Sequence, residues 1–182
     1  QGVSSAASDV YKRQEGDVLH VDSLPSNRKF THVMHAATDS TLGPTLSPMQ
    51  RYIQIVDGTR NVLELALATG ASRFLFTSSG GVYGPQPPEM DKISEQYLGI
   101  PDPMNPHNAY SIAKRCAEHL CALFQAQHGL EVVIARCFAF VGQDLPFNAH
   151  FAIGNFIRDA MIAPEILVQG DGTPVRSYMD QR

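Results

Sequence analysis

The sequence predicts an α/β fold in which a doubly wound parallel sheet is covered by helices on both faces. Three observations support this prediction. Short apolar segments alternate with longer helical segments, the helical segments carry start and stop residues, and the apolar segments show little polar alternation. Near-continuous apolar strands are typical of parallel sheets that are buried on both faces. Ligands of such sheets bind beyond the carboxyl ends of the strands, so the candidate functional residues are expected there.

The first half of the chain predicts a strand over residues 30–37, followed by a turn-rich loop and a long helix. Ser47 is a good helix cap, and Pro48 suits the first helical position because it lacks an N–H. Gly70 suits the position that follows the end of a helix. We therefore predict a helix from about Pro48 to Thr69.

The second half predicts a strand over residues 73–78 and a glycine-bearing loop over residues 79–84. After a proline-rich stretch, Asn108 is predicted to cap a helix that runs to about His128. The following apolar residues, 131–137, predict a third strand. The alternating order of strand, helix, strand, helix and strand predicts a parallel sheet.

The C-terminal part has a weaker pattern, which predicts a helix over residues 151–162 and a short strand over residues 165–168. The predicted organisation is a partial dinucleotide-binding domain over residues 15–148 and the start of a smaller substrate-binding region over residues 149–182. Residues 1–14 are expected to be non-native, because residues 4–14 resemble a translated sequencing adaptor. We therefore expect that this sequence lacks the beginning of the native protein.

The composition indicates a globular protein without nucleic acid or membrane partners. Of 182 residues, 43% are hydrophobic and 18% charged, with a net charge of −4 that does not favour binding to nucleic acid. The apolar run Val62–Ala68 contains Glu64 and is too short to span a bilayer. An odd number of cysteines, Cys116, Cys121 and Cys137, argues against a disulfide framework. A cytoplasmic location with inert, partly buried thiols is the prediction.

Candidate chemistry lies in the segment Tyr110-Ser-Ile-Ala-Lys114. A spacing of four places the phenol and the ammonium one turn apart on one helix face, where a positive charge favours the phenolate. Ser79, predicted at the end of the preceding strand, could hold a substrate oxygen beside that phenol. A surface tyrosine and lysine at this spacing are common by chance, so the pair gains meaning only from its context.

That context consists of several motifs in a fixed order. Together they resemble the NAD-dependent epimerase/dehydratase family of extended short-chain dehydrogenases, and the resemblance covers nearly everything from Gly16 onward. The motifs are Val33-Met-His-Ala-Ala37, Val56-Asp-Gly-Thr59 with Asn61-Val-Leu-Glu64, Phe76-Thr-Ser-Ser-Gly-Gly-Val-Tyr-Gly84, Tyr110 to Lys114, and Arg136-Cys-Phe138.

The resemblance implies a Rossmann domain that acts on nucleotide sugars through NAD or NADP, with NAD preferred. It implies that Tyr110 is the catalytic base, that Lys114 holds the nicotinamide ribose and lowers the phenol pKa, and that Ser79 orients the sugar hydroxyl. Other implied cofactor contacts are Asp17, Val18, Ala36, Ala37, Ser78 and Phe138, and the implied substrate contacts are Ser79, Gly80 and Arg176, the last of these gripping the diphosphate.

Departures from the family pattern narrow the expected reaction. Sugar dehydratases carry an Asp-Glu pair directly after the residue that matches Ser79, whereas this chain has Gly80 and Gly81. Water elimination needs that extra acid and base, so we expect an epimerase or a ketosugar reductase. Ile55 and Ala139 also occupy positions at which members of the family frequently have asparagine. A dehydratase, and a non-catalytic dinucleotide-sensing protein, are the alternatives.

No G-x-x-G-x-x-G loop is present in the sequence, although such a loop would cradle the cofactor pyrophosphate. We therefore expect the chain alone to bind NAD poorly, to be inactive, and to aggregate through an open sheet edge. The resemblance implies a homodimer for the full-length parent protein. His32 and His35 lack partners at metal-ligand spacing, so no metal site is predicted.

Overall fold

The computed structural model describes residues 14–38, 45–149, 151–168, 170–172, 175 and 177–180. The strands in this part of the chain are β1 (His32–His35), β2 (Arg73–Ser79), β3 (Glu131–Cys137), β4 (Ala139–Val141) and β5 (Tyr178–Asp180). The α-helices are α1 (Pro48–Thr69), α2 (Ala109–His128) and α3 (Ala152–Ile162), and short 3-10 helices span Val21–Ser23, Gly80–Tyr83 and Pro106–Asn108. Within these described ranges, no helix has the length and apolar character needed to cross a membrane.

The main sheet is parallel and has the strand order β1-β2-β3. Met34 pairs with Leu75, which pairs with Val133, so the three strands run side by side in one direction. Their carboxyl ends therefore meet at one edge of the sheet. The predicted α/β fold and its order of strands and helices are confirmed.

Helix α1 begins and ends at the predicted residues because its ends satisfy their own backbone groups. The Ser47 hydroxyl accepts from the Gln50 N–H at 3.2 Å, and the Gln50 side chain accepts from the Ser47 N–H at 2.9 Å. This reciprocal capping box fixes the first turn. At the other end, Gly70 adopts a left-handed conformation with φ of 82°, which costs little for a residue without a Cβ.

The core lies between the main sheet and the helices α1 and α2. Phe74 and Phe76 of β2 point to this side and are 1% and 0% exposed. They belong to the same buried cluster as Leu63 of α1 and Ala117 of α2. Burial of each large apolar side chain stabilises the fold by about 1.5–3 kcal/mol, which explains why the two helices pack firmly over the strands.

The opposite face of the sheet is open in the described part of the chain. Met34 and Val133, which point to this side, are 66% and 62% exposed. Helices thus cover one face here, and not both as the apolar strands predict. The apolar pattern of the strands is typical of a sheet that is buried on both faces. The described residues, however, form helices over only one of the two faces.

Two local predictions are wrong. Asn108 makes no side-chain cap, because its amide donates to the Asp102 carbonyl at 3.0 Å and the 3-10 turn Pro106–Asn108 leads directly into α2. Residues 165–168 form no strand, and Ile166, Leu167 and Val168 are exposed. Instead, β5 pairs with β4 in a separate parallel pair, so the apolar run has no sheet partner there.

A buried polar network joins the end of β2 to α2 and β3. Glu118 accepts from the Ser78 hydroxyl at 2.6 Å and from Arg136 at 3.0 and 2.8 Å, in a bidentate pair. Arg136 also donates to the Glu95 carbonyl at 3.2 Å and lies 4.7 Å from the centre of the Tyr83 ring. The network therefore connects both strands, the helix and the long proline-rich loop close to the carboxyl ends of the strands.

Replacement of Glu118 by Gln should lower the free energy of unfolding by up to about 3 kcal/mol, because Arg136 would lose its counter-ion. The Arg136 side chain is 26% exposed, so water recovers part of this loss. Urea denaturation measures the effect. The matched control is Glu64→Gln, which breaks an exposed pair with Arg60 and should cost less than about 0.5 kcal/mol. Equal effects of the two substitutions would contradict this account.

His35 is a neutral core histidine. It is 3% exposed, its Nε2 lies 3.1 Å from the Thr59 Oγ1, and its ring stacks on Phe76 at 5.6 Å between centroids. Burial, with a smaller effect of Lys114, lowers the pKa of His35 from 6.5 to about 4. His32 is exposed and lies 2.9 Å from the Thr31 hydroxyl. Both contacts agree with the interpretation of ordinary strand histidines.

The lowered pKa of His35 predicts a loss of stability in acid. In the unfolded chain His35 takes up a proton below pH about 6.5, whereas in the folded chain it stays neutral down to pH about 4. The stability it contributes is therefore complete above pH 6.5 and is lost as the pH falls towards 4, by about 3 kcal/mol in total. His35→Gln should flatten this part of the stability profile, measured by denaturation at several pH values. The exposed control His32→Gln should keep the native slope, and an unchanged slope in His35→Gln would overturn the prediction.

Candidate active site

The three predicted catalytic residues converge at the carboxyl edge of the sheet. Ser79 is the last residue of β2, and Tyr110 and Lys114 lie on the first turns of α2, which starts at the same edge. The Ser79 Oγ also accepts from the Gly81 N–H at 3.1 Å, which fixes the serine at the start of the 3-10 turn. The Lys114 Nζ lies 5.9 Å from the centre of the Tyr110 ring. The spacing of four thus places both side chains on one face, as the sequence predicts.

Lys114 is a buried cation held from two sides. It is 2% exposed, and its Nζ donates to the Thr77 carbonyl at 2.7 Å and to the Thr38 hydroxyl at 2.8 Å. The ring of Phe76 lies 4.8 Å away and adds a cation–π contact. Burial lowers the pKa of Lys114 to about 8, and Cys137 acts in the opposite direction. The ammonium is therefore held in place at the strand ends, with a weaker hold on its proton than an exposed lysine has.

The Tyr110 phenol is held neutral. Burial raises the pKa of Tyr110 above its ordinary value of 10.0, while hydrogen bonding with Ser79 and the charge on Arg51 oppose this rise. The resemblance implies a phenol pKa lowered by Lys114, and this expectation is not met. The Lys114 ammonium is directed at Thr77 and Thr38, and the desolvation of the phenol dominates.

Four of the predicted cofactor contacts line one groove. Asp17, Val18, Ala36 and Ala37 surround a space of about 390 Å³ together with Gly16, Thr38 and Gln54. The segment 16–18 is tied to α1 by the Asn61 amide, which donates to the Val18 carbonyl at 2.8 Å. The groove meets Lys114 through Thr38. Its small residues and its unpartnered buried acceptor, the Gln54 Oε1, fit a ligand with hydrogen-bond donors such as a dinucleotide.

The remaining predicted contacts differ in position. The Ser78 hydroxyl points to the helix side of the sheet and is engaged by Glu118, since neighbouring strand residues face opposite sides. The structure therefore gives the Ser78 side chain no role towards a cofactor. Gly80 lies under the ring of Phe138, where an added Cβ would be 2.6 Å from a ring atom. Phe138 is 56% exposed and also stacks on Tyr83. Arg176 lies outside the described residues.

A second and larger cleft, of about 870 Å³, lies beside β3. Aromatic, apolar and charged side chains line it, while Tyr110 and Lys114 do not. We therefore place the candidate chemistry at the smaller groove and the strand ends, where the titratable groups are. Residues that line the larger cleft include Tyr83, Lys92, Glu95, Arg136, Phe138 and Tyr178.

Several residues near the site are not predicted from the sequence. Thr38 and Thr77 bind Lys114, Gln54 lines the groove, and Arg51 acts on the pKa of Tyr110. Cys137 pairs in register with Ser79, so its side chain also belongs to this edge. The available signal for the threonines and Cys137 was their place at strand ends. For Arg51 and Gln54 it was their place in the first turns of a helix that starts there.

The cysteines are free thiols, and burial raises the pKa of Cys121 to about 12, as suits an inert thiol. In the described part of the chain, no group of three or more histidine, cysteine, aspartate or glutamate residues could hold a metal ion.

Comparisons with known proteins agree with this geometry. A UDP-glucuronic acid decarboxylase 1 from Xenopus tropicalis is 37% identical over 121 residues, which is 66% of this chain and 28% of that protein. A solved UDP-galactose 4-epimerase superposes with a TM-score of 0.70 at 28% identity, covering 90% of this chain and 50% of the other. The protein RMD from Pseudomonas aeruginosa, solved with NADPH, superposes with a TM-score of 0.75 at 28% identity, covering 93% and 57%.

The chain spans less than two fifths of the length of the curated relatives it matches. Over its own length the match is nearly complete, since residues 2–182 fit the sequence description of one family. The parallel sheet with its helices agrees with the fold of the solved structures that superpose on it. The chain belongs to the NAD dependent epimerase/dehydratase family.

Proposed function

We propose that the protein to which this chain belongs is an NAD(P)-dependent nucleotide-sugar epimerase or ketosugar reductase. The observation that carries the proposal is the grouping of the Ser79 hydroxyl, the Tyr110 phenol and the buried Lys114 ammonium at one edge of the sheet. Membership of the family and the nucleotide sugars in the names of its relatives support the substrate class. Because the chain covers only part of those relatives, the proposal concerns the whole protein.

In the proposed reaction, Tyr110 exchanges a proton with the oxygen of a sugar carbon, and Ser79 holds that oxygen by a hydrogen bond. A bound nicotinamide supplies or accepts the hydride at the same carbon. On this proposal Lys114 would bind the ribose hydroxyls of the cofactor, and Asp17, Val18, Ala36 and Ala37, which line the groove, would contact other parts of the dinucleotide. An epimerase returns the hydride to the other face of the ketosugar, whereas a reductase releases the reduced sugar.

The neutral Tyr110 phenol suits the half of the reaction in which a ketosugar is reduced. Burial keeps the pKa of Tyr110 above 10.0, so the phenol carries its proton at pH 7. A neutral phenol is the form that donates a proton to a ketosugar oxygen as that oxygen gains negative charge. In the oxidising direction, the same phenol must first lose its proton, and ligand binding must then supply the missing stabilisation of the phenolate.

A dehydratase remains the less favoured alternative. The two positions after Ser79 are glycines, so they supply no carboxyl group for the loss of water. Gly80 is also covered by Phe138, and an added Cβ at Gly81 would be 2.6 Å from the Ser111 hydroxyl. The loop therefore has little space for the acidic side chains of that reaction.

A second candidate activity is the decarboxylation of a nucleotide uronate, because the curated relatives carry the name UDP-glucuronic acid decarboxylase. Oxidation of the carbon that lies β to a carboxylate allows the carboxylate to leave as CO₂. The first step uses the same proton and hydride transfers as an epimerase.

The choice of NAD over NADP and the formation of a homodimer remain predictions.

The substitution Tyr110→Phe should lower turnover by about 100-fold or more, because it removes the proton-transfer group and leaves the ring. The assay uses the complete coding sequence that contains this chain, with a panel of nucleotide sugars, cofactor absorbance at 340 nm and direct analysis of products. Tyr97→Phe, which removes a phenol hydroxyl outside the site, is the matched control and should keep full activity.

The products of the assay distinguish the candidate activities. Net consumption of cofactor indicates a reductase, conversion without net cofactor change indicates an epimerase, and release of CO₂ indicates a decarboxylase. Intact cofactor binding without conversion of any sugar would favour the non-catalytic, dinucleotide-sensing alternative. Full activity of Tyr110→Phe would exclude the proposed mechanism.

A further inference from the structure

Two buried polar atoms on helix α1 lack hydrogen-bond partners. They are the Arg51 Nε and the Gln54 Oε1, and no other buried side-chain nitrogen or oxygen in the described part of the chain is in this state. The two residues are three apart and thus share one face of the first turns of α1. Although one atom is a donor and the other an acceptor, they do not bond to each other. Buried polar groups without a partner are rare in folded proteins and call for a physical explanation.

Arg51 also lacks a carboxylate partner. Arg51 forms no ion pair within 4.0 Å with any described residue, and the same holds for Arg28 and Arg115. The buried Nε without a hydrogen-bond partner is what distinguishes Arg51 from these two arginines. The Arg51 side chain is partly buried. A buried guanidinium N–H without a partner costs the folded protein free energy, and such donors are usually satisfied by a protein group, water or a ligand.

The position of Arg51 points to the candidate site. Gln54, on the same helix face, lines the groove with Ala36, Ala37 and Thr38. Arg51 lies one turn closer to the start of α1, roughly 4.5 Å further along the helix axis. The charge of Arg51 acts on the Tyr110 phenol, where it opposes the effect of burial on the pKa. Arg51 thus shares a helix face with a residue of the groove and is close enough to the Tyr110 phenol for its charge to act there.

We infer that Arg51 is an anion-binding residue of this site, which pairs with a carboxylate or phosphate oxygen of the ligand bound beside Tyr110. The planar guanidinium suits either group, because both present two oxygens to its donors. The inference rests on the proposed function, since it takes the ligand to be a nucleotide sugar or a nicotinamide dinucleotide. A carboxylate would come from an acidic sugar, and a phosphate oxygen from the cofactor or the nucleotide.

The test is a binding measurement on the complete protein, which needs no turnover. Isothermal titration calorimetry compares the protein with Arg51→Met for four ligands: UDP-glucuronate, UDP-glucose, ADP-ribose and adenosine. Loss of a charge-assisted hydrogen bond should weaken binding of the anionic partner by roughly tenfold to hundredfold. Arg60→Met is the matched control, because Arg60 lies on the same helix and pairs with Glu64 at the surface. It should leave all four affinities unchanged.

The pattern of losses identifies the anion. A loss confined to UDP-glucuronate assigns Arg51 to a sugar carboxylate. Weaker binding of both UDP-sugars, or of ADP-ribose with adenosine unaffected, assigns it to a phosphate. Equal affinities of the native protein and Arg51→Met for all four ligands would overturn the inference alone, whereas no binding of any ligand to the native protein would overturn the proposed function with it.

A second variant covers the case in which Arg51→Met does not fold, as shown by its thermal melt. Arg51→Lys keeps the positive charge and loses the planar fork, so the affected ligand should bind with an intermediate affinity. Native affinity for every ligand in Arg51→Lys, together with native affinity in Arg60→Met, would show that the fork of Arg51 contacts no anion and would contradict the inference.

Discussion

The parallel register of β1, β2 and β3 is the constraint on which the rest of the structure depends. Because the three strands run in one direction and pair in register, Thr38, Ser79 and Cys137 follow or end neighbouring strands at one edge. Both long helices start at that edge as well, after the loops that follow β1 and β2. The register therefore brings together the first turn of α1, the first turn of α2 and the glycine-bearing loop, although these segments lie far apart in the sequence.

Burial shifts the pKa values of the titratable side chains at this edge of the sheet. The same desolvation that raises the pKa of Tyr110 lowers the pKa of Lys114 to about 8, so both side chains are pushed towards their neutral forms. The Thr77 carbonyl and the Thr38 hydroxyl hold the lysine ammonium in place against this tendency. The Glu118–Arg136 pair, one turn further along α2 from Lys114, secures the helix to the sheet without adding net charge. A site of this kind depends strongly on the charges that a ligand brings with it.

Much of the fold was accessible from local sequence signals. The bounds of α1 follow from Ser47, Pro48 and Gly70, because each end of the helix is satisfied by residues close in sequence. The end of α2 at Gly129 has the same local cause. By contrast, the start of α2 depends on a 3-10 turn, and the pairing of β4 with β5 depends on residues almost forty positions apart. Neither relation leaves a short-range pattern.

The candidate site, like the fold, was only partly predictable from the sequence. The spacing of Tyr110 and Lys114 and the place of Ser79 at a strand end were visible in the sequence. The raised pKa of Tyr110, the engagement of Ser78 by Glu118 and the unpaired state of Arg51 were not, because each depends on burial between elements that are distant in the chain. Strand alternation alone does assign Ser78 and Ser79 to opposite faces.

The contact between Gly80 and Phe138 links two positions that are 58 residues apart in sequence. A side chain at position 80 would meet the phenylalanine ring at 2.6 Å, so Gly80→Asp alone would force the ring, and with it the stack on Tyr83, out of place. An acidic residue at position 80 therefore requires that the Phe138 ring moves away or is replaced by a smaller side chain. Dehydratase chemistry on this scaffold would thus need a coupled change in the segment that follows β3 as well as new carboxyl groups in the loop.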